Sequence, residues 1–251
     1  MRNLLLVFAL SAGCATTPDP APHRPTSRWS LVDGATVING FAALTAEQAR
    51  GVAQDRTGTL YLPDLRIIDA EVAAALAETQ ASSLHLCGLT RLDLASARAL
   101  ARYESGGDRV LCLDGLVDPS SEVLAALSLT ESWGLSLNGI RRIDGAGLRA
   151  LGARPSELGQ LELGGVTSVD EQAAHDLRFL KAKFCYLSGL EKLSLLAAES
   201  LARAEIEMLN LTGLRDIDAE VAAALAAWEQ SGRALRVQPS VRLLIERARA
   251  N

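Results

Sequence analysis

Aromatic residues make up only 4% of this 251-residue chain, and histidine, cysteine and methionine number three, four and two. With so few rings, a core cannot be organised around a handful of large side chains, so it must be assembled from many small aliphatic contacts. Charge of one sign is also scarce. Lys and Arg number 25 against 30 Asp and Glu, a net charge of −5, without the clustered cations that a nucleic-acid partner requires. The apolar run near the start falls well below the ~20 residues of a bilayer-spanning helix. Metalloprotease HExxH, the GxSxG elbow, a Walker A loop and a dinucleotide GxGxxG are all missing from any fitting context. These absences point away from enzymes and from cofactor binding.

What is present begins with 49% hydrophobic and 22% charged residues, the composition of a folded body. Residues 1–14, "MRNLLLVFALSAGC", join a short basic start to an uncharged apolar stretch and end in small residues before Cys14. This end resembles the lipobox of bacterial lipoproteins. The resemblance implies cleavage before Cys14, lipid on that residue, and an address at the bacterial cell envelope. Residues 15–33 follow as a tether, with four of the eight prolines between Ala15 and Arg28. Multiple acyl chains, at ~0.8 kcal/mol per buried CH₂, would hold such a protein at a membrane.

Beyond Gly34 the chain repeats itself. "LPDLRIIDAEVAAALA" from Leu62 returns as "LTGLRDIDAEVAAALA" from Leu211, with three of sixteen positions changed. Copies with a period of about 24 begin at Thr36, Leu60, Leu84, Leu111, Leu135, Leu161, Cys185 and Leu209, and a partial copy begins at Leu235. Alternating apolar residues such as Leu84/Leu86 predict short strands with one buried face. Next comes a glycine column, Gly40, Gly88, Gly115, Gly139, Gly165, Gly189 and Gly213, replaced once by Asp64. It reads as a turn position that tolerates φ > 0. The residue after it is apolar in every copy, from Phe41 to Leu214.

Thr45, Asp69, Asp93, Ser120, Asp144, Asp170, Ser194 and Asp218 then share one offset. Five aspartates in register suggest metal ligands, but the mixture of Asp, Ser and Thr ahead of Ala/Leu-rich segments fits a set of helix N-caps better. Behind them, pairs such as Ala73/Leu76 and Ala222/Leu225 lie on one helical face. No single unit can bury that face alone, whereas stacked neighbours can.

The period, strand-plus-helix content and leucine columns resemble the leucine-rich-repeat family from Thr36 to Val237. The expected fold class is α/β, a solenoid at residues 34–240 with a parallel sheet on one face and short helices on the other. The family's asparagine ladder is replaced here by the apolar residue after the glycine. Residues 241–251 read as an amphipathic C-terminal cap, and Ser27–Gly34 as cover for the other end, with Trp29 as its plug.

By the pleat, Tyr61, His85, Ser136, Glu162, Tyr186, Asn210 and Arg236 point outward from seven different repeats, a mixed row suited to a protein or glycan partner. His85, Cys87, Cys112 and Asp114 form a second outward group on adjacent strands, a set that zinc or copper accepts. The alternative is four unrelated surface residues. On straight strands the Cα atoms of Cys87 and Cys112 should lie ~8 Å apart, beyond the ~7 Å limit for a disulfide, so both thiols are expected to stay unbridged. Cys185 falls in an inward column and reads as core. His23 lies in the tether. His175, on a repeat helix beside Asp176, reads as solvated. The longest repeat exceeds the period by about three residues near Ser105-Gly106-Gly107, too little to build a catalytic site. The sequence therefore predicts a non-enzymatic, lipid-anchored interaction scaffold, with a metal or thiol site or a purely structural envelope role as the alternatives.

Overall fold

A computed structural model describes residues 29–32, 35–54, 58–103, 109–155 and 157–250. Cys14, His23, the proline-rich segment, the side chain of Trp29 and Ser105-Gly106-Gly107 lie outside the described part.

Strand and helix alternate along the chain: β1 (Trp29–Val32), β2 (Ala35–Ile38), α1 (Ala46–Ala53), β3 (Thr59–Tyr61), α2 (Ala70–Ala77), β4 (Ser83–His85), α3 (Leu94–Leu100), β5 (Val110–Cys112) and α4 (Ser121–Ser128). Then follow β6 (Gly134–Ser136), α5 (Gly145–Gly152), β7 (Leu158–Glu162), α6 (Glu171–Asp176), β8 (Lys181–Tyr186), α7 (Leu195–Arg203), β9 (Glu205–Asn210), α8 (Ala219–Gln230), β10 (Ala234–Arg236) and α9 (Pro239–Ala250). The strands form one sheet in chain order. β2 to β10 run parallel, and β1 pairs antiparallel with β2, extending the sheet by a hairpin at its first edge. The result is an α/β, solenoid-like stack.

Register follows the repeat. Leu60, Leu84, Leu111, Leu135, Leu161, Cys185, Leu209 and Leu235 stand side by side across β3 to β10. They belong to one cluster with the helix residues Ala73, Leu76, Ala97, Leu100, Ala198, Leu201, Ala222 and Leu225. The apolar residue after the glycine, from Leu65 to Leu214, is at most 1% exposed. Full burial of each leucine contributes ~2 kcal/mol, and every one depends on the next coil to exclude water.

Helix starts are set locally. All eight expected caps accept a hydrogen bond from the backbone N–H three residues on. The aspartates do so at 2.7–2.8 Å and the hydroxyl caps at 3.2–3.4 Å. Thr45 completes a capping box with Gln48, whose side chain accepts from the Thr45 N–H at 2.9 Å. Each cap contributes about 1 kcal/mol.

The glycine column has a different reason from the one its sequence suggested. Among the described glycines only Gly40 and Gly232 have positive φ. At Gly88, Gly115, Gly139, Gly165, Gly189 and Gly213 an added Cβ would lie under 3.0 Å from a backbone carbonyl oxygen of the preceding coil. Glycine is needed there because successive turns approach too closely for a side chain. Gly40 opens the first coil and has nothing within 4 Å of that point. Asp64, which takes the glycine's place in the second coil, accepts a hydrogen bond from the Gly40 N–H at 2.7 Å.

Candidate functional site

The pleat that turns the leucines toward the helices turns their neighbours the other way. Tyr61, His85, Cys112, Ser136, Glu162, Tyr186, Asn210 and Arg236 are consecutive register partners across eight parallel strands. The row spans ~34 Å at ~4.8 Å per strand. All seven residues expected to form a recognition row share this register, with Cys112 between His85 and Ser136; Ser136, expected to face outward into solvent, is instead 4% exposed because its hydroxyl is turned onto the Asp114 carboxylate, and Cys112 is equally buried. The row has three chemically distinct parts.

At one end, the rings of Tyr61 and His85 stack at 4.1 Å between centroids and 29° between planes. Beside them Cys87 Sγ lies 3.5 Å from Cys112 Sγ, and neither cysteine is in a disulfide. The two side chains meet although the residues stand in different columns of the repeat. Cys87 is not on a strand. It is the second residue of a turn closed by Leu89 N–H donating to Leu86 O at 3.1 Å, and the turn sets its side chain beside that of Cys112. A donor atom from each of His85, Cys87 and Cys112 lies within 4.8 Å of the other two. Desolvation lowers the His85 pKa to about 4, an effect partly opposed by the nearby Asp114 carboxylate, so the imidazole is neutral at neutral pH.

Asp114, the fourth member of the expected ligand set, is not in that cluster. Its Oδ1 accepts from Ser136 Oγ at 2.6 Å and from the Asn138 N–H at 2.9 Å. Ser136 is 4% exposed. Asn138 Nδ2 donates to Glu162 Oε2 at 2.8 Å, and Gln160 Nε2 donates to Glu162 Oε1. This polar hub in the middle of the row holds two carboxylates apart with amide and hydroxyl donors. Asn138 Oδ1 in turn accepts from the Gly164 N–H of the next coil at 2.7 Å. Asp114 and Asn138 thus form two rungs of a side-chain-to-backbone ladder, one position before the glycine column. Sequence reasoning did not single out Asn138; its alignment with Cys87 and Asp114 just ahead of the glycine was the available signal.

At the far end, burial and then the Glu162 charge push the Tyr186 hydroxyl pKa up, with Arg236 acting the opposite way. Glu162, Tyr186 and Arg236 lie on β7, β8 and β10 respectively.

Elsewhere, Cys185 is fully buried and its thiol is pushed up to about 12 by desolvation. It is core, not chemistry. His175 is half-exposed and bonded on both nitrogens, to Asp176 Oδ1 at 3.2 Å and to Arg178 Nη1 at 2.7 Å. Asp176, only 1% exposed, also bonds Arg149 and Gln172, so it ties α5 to α6 while the His175 ring stays partly in solvent.

No protein-family model matches this chain, and no curated protein is significantly similar to it.

Proposed function

We propose that this chain is a non-enzymatic scaffold of the leucine-rich-repeat kind, in a variant with ~24-residue coils and glycine-packed turns, that binds a protein or glycan along its strand face. Its place is the bacterial cell envelope, with lipid on Cys14 and residues 15–33 as the tether. Among the described residues, no helix is long and apolar enough to cross a membrane, so an anchor of this kind would act through the lipid.

The in-register row from Tyr61 to Arg236 carries the reading. It offers aromatic, amide, hydroxyl, carboxylate and guanidinium groups at a regular spacing on a backbone held by a continuous ladder. Such a surface can contact an extended partner at many points with little ordering cost. The two rotatable bonds of Tyr186 and the single charge of Glu162 make them the expected anchors.

The test is capture from native envelope by the immobilised chain, comparing wild type, the double variant Tyr186→Ala/Glu162→Ala, and the helix-side control Arg98→Ala/Glu220→Ala. A partner that the row variant loses and the control keeps supports the reading. One held equally by all three overturns it. Palmitate labelling of wild type against Cys14→Ala tests the anchor, and equal incorporation would refute it.

A further inference from the structure

We propose that His85, Cys87 and Cys112 bind one zinc ion, leaving a fourth coordination position open to water or to a donor from a partner. This goes beyond the binding scaffold, because it assigns a specific inorganic ligand to one end of the strand face.

The inter-sulfur distance separates a disulfide and a linear site from a tetrahedral or trigonal one. A disulfide needs ~2.05 Å between sulfurs. Two thiolates at ~2.3 Å from a tetrahedral ion sit ~3.8 Å apart. Trigonal coordination at the same bond length places them ~4.0 Å apart and linear coordination ~4.6 Å apart, arrangements that suit cuprous copper. The sulfurs stand 3.5 Å apart. Reaching the tetrahedral value takes a movement of ~0.3 Å and the trigonal value ~0.5 Å, against ~1.5 Å of closure for a disulfide and ~1 Å of opening for a linear site; two sulfurs with an imidazole and a free position favour the tetrahedral ion. A borderline-soft ion with a tetrahedral habit, bound by two sulfurs and one imidazole, is zinc.

The donors are also held in place before any ion arrives. The His85 carbonyl accepts from Leu62 N–H and the Cys112 carbonyl from Leu86 N–H, each at 2.9 Å. Gly115 packs so closely on the Cys87 carbonyl that a Cβ there would collide with it, which fixes the turn carrying the Cys87 thiol. Tyr61 stacked on His85 restrains the ring. The Asp114 carboxylate adds a favourable field from nearby without ligating. Binding releases the two thiol protons to solvent, so the ion's two positive charges meet two thiolates and the first shell is neutral. Three protein ligands leave the fourth position of the ion accessible to water or to a partner's donor, unlike a closed structural site.

The test uses the full chain kept reduced, titrated with zinc alone and with cobalt(II) as the spectroscopic substitute. The expected result is one ion per chain, with a thiolate-to-cobalt charge-transfer band and the intense visible bands of a tetrahedral site. Loss of an outer-shell partner costs 10–100-fold in affinity, so His85→Ala and Cys87→Ser should each weaken binding by at least ~100-fold. Asp114→Asn should still bind one ion. Cys112→Ser is the third ligand variant, but its site is buried; if it fails to fold, the His85 and Cys87 variants decide. No bound ion, weak octahedral cobalt bands, or affinity unchanged in both of those variants overturns the proposal. So does a Cys87–Cys112 disulfide that forms in preference to zinc binding. The readout does not involve a partner, so its failure is distinct from failure of the scaffold reading.

Discussion

Replacing Gly139 by alanine adds one methyl group at the point where the Leu137–Ile140 turn leans on the coil before it. The new Cβ would lie well under 3.0 Å from the carbonyl oxygens of Asp114 and Leu116. Ordinary van der Waals contact begins at 3.4 Å, so the two coils must part locally by ~1 Å. Both obstacles are backbone, and no side chain can swing away to absorb the strain. The adjacent ladder bond, Leu113 N–H to Ser136 O at 2.9 Å, would be stretched beyond useful length. Overpacking of this kind costs ~1–3 kcal/mol and the lost hydrogen bond about 1 kcal/mol, which gives an expected destabilisation of ~2–4 kcal/mol. Gly51 provides the opposite control. It is exposed in the interior of α1, and a Cβ added there would meet nothing within 4 Å, so Gly51→Ala should stabilise by ~0.5–1 kcal/mol through helix propensity. Gly40→Ala separates the second reason for glycine, since there the space is open but φ is +81°; it should cost ~1–2 kcal/mol. Urea unfolding followed by far-UV circular dichroism measures all three. A Gly139→Ala stability within ~0.5 kcal/mol of wild type would refute close inter-coil packing as the reason for the column.

Two other perturbations test how the ends and the helix layer are held. Burial works to raise the Asp176 pKa, but hydrogen bonds from Gln172 and His175 together with the Arg149 and His175 charges outweigh it and hold the carboxyl below its ordinary 3.8. Its contribution is therefore present above pH 3.8 and lost as the pH falls through the lower folded value. Asp176→Ala should cost ~2 kcal/mol at pH 7, because it leaves Arg149 and Gln172 without their acceptor. The gap from wild type should narrow as the pH drops below 3.8, and a gap independent of pH would contradict the assignment. At the C-terminal end, Glu229 accepts from Arg242 at 2.7 and 2.8 Å and from Arg249 at 2.5 Å, while Arg242 also bonds the Leu235 carbonyl at 2.7 Å. Glu229→Ala should loosen α9 by ~1–2 kcal/mol, seen as faster amide exchange over Pro239–Ala250 than over β3–β9. Unchanged exchange in α9 would show that Val241 and Ile245, both fully buried, hold it unaided.

The sequence by itself determined whatever a residue does within its own coil. Asp69 caps α2 because a carboxylate three residues ahead of Val72 N–H needs no distant partner. The leucine columns, the strand and helix periods and the outward row were legible for the same reason: alternation and 3.6-residue spacing are properties of a short segment. Tertiary structure decided what depends on the neighbouring coil. Glycine at 115 and 139 looks like turn freedom when read along the chain, and proves to be clearance when the next coil is in place. Nothing in the spacing shows that Asp176, beside the solvent-reaching His175, is buried where α5 packs on α6. Cys87 and Cys112 stand in different columns of the repeat, and only the turn at Leu86–Leu89 sets one sulfur against the other. A repeat encodes its own backbone through local periodicity, whereas contacts between repeats depend on the stacking distance and on where each turn bends, and neither is written in the spacing of residues along the chain.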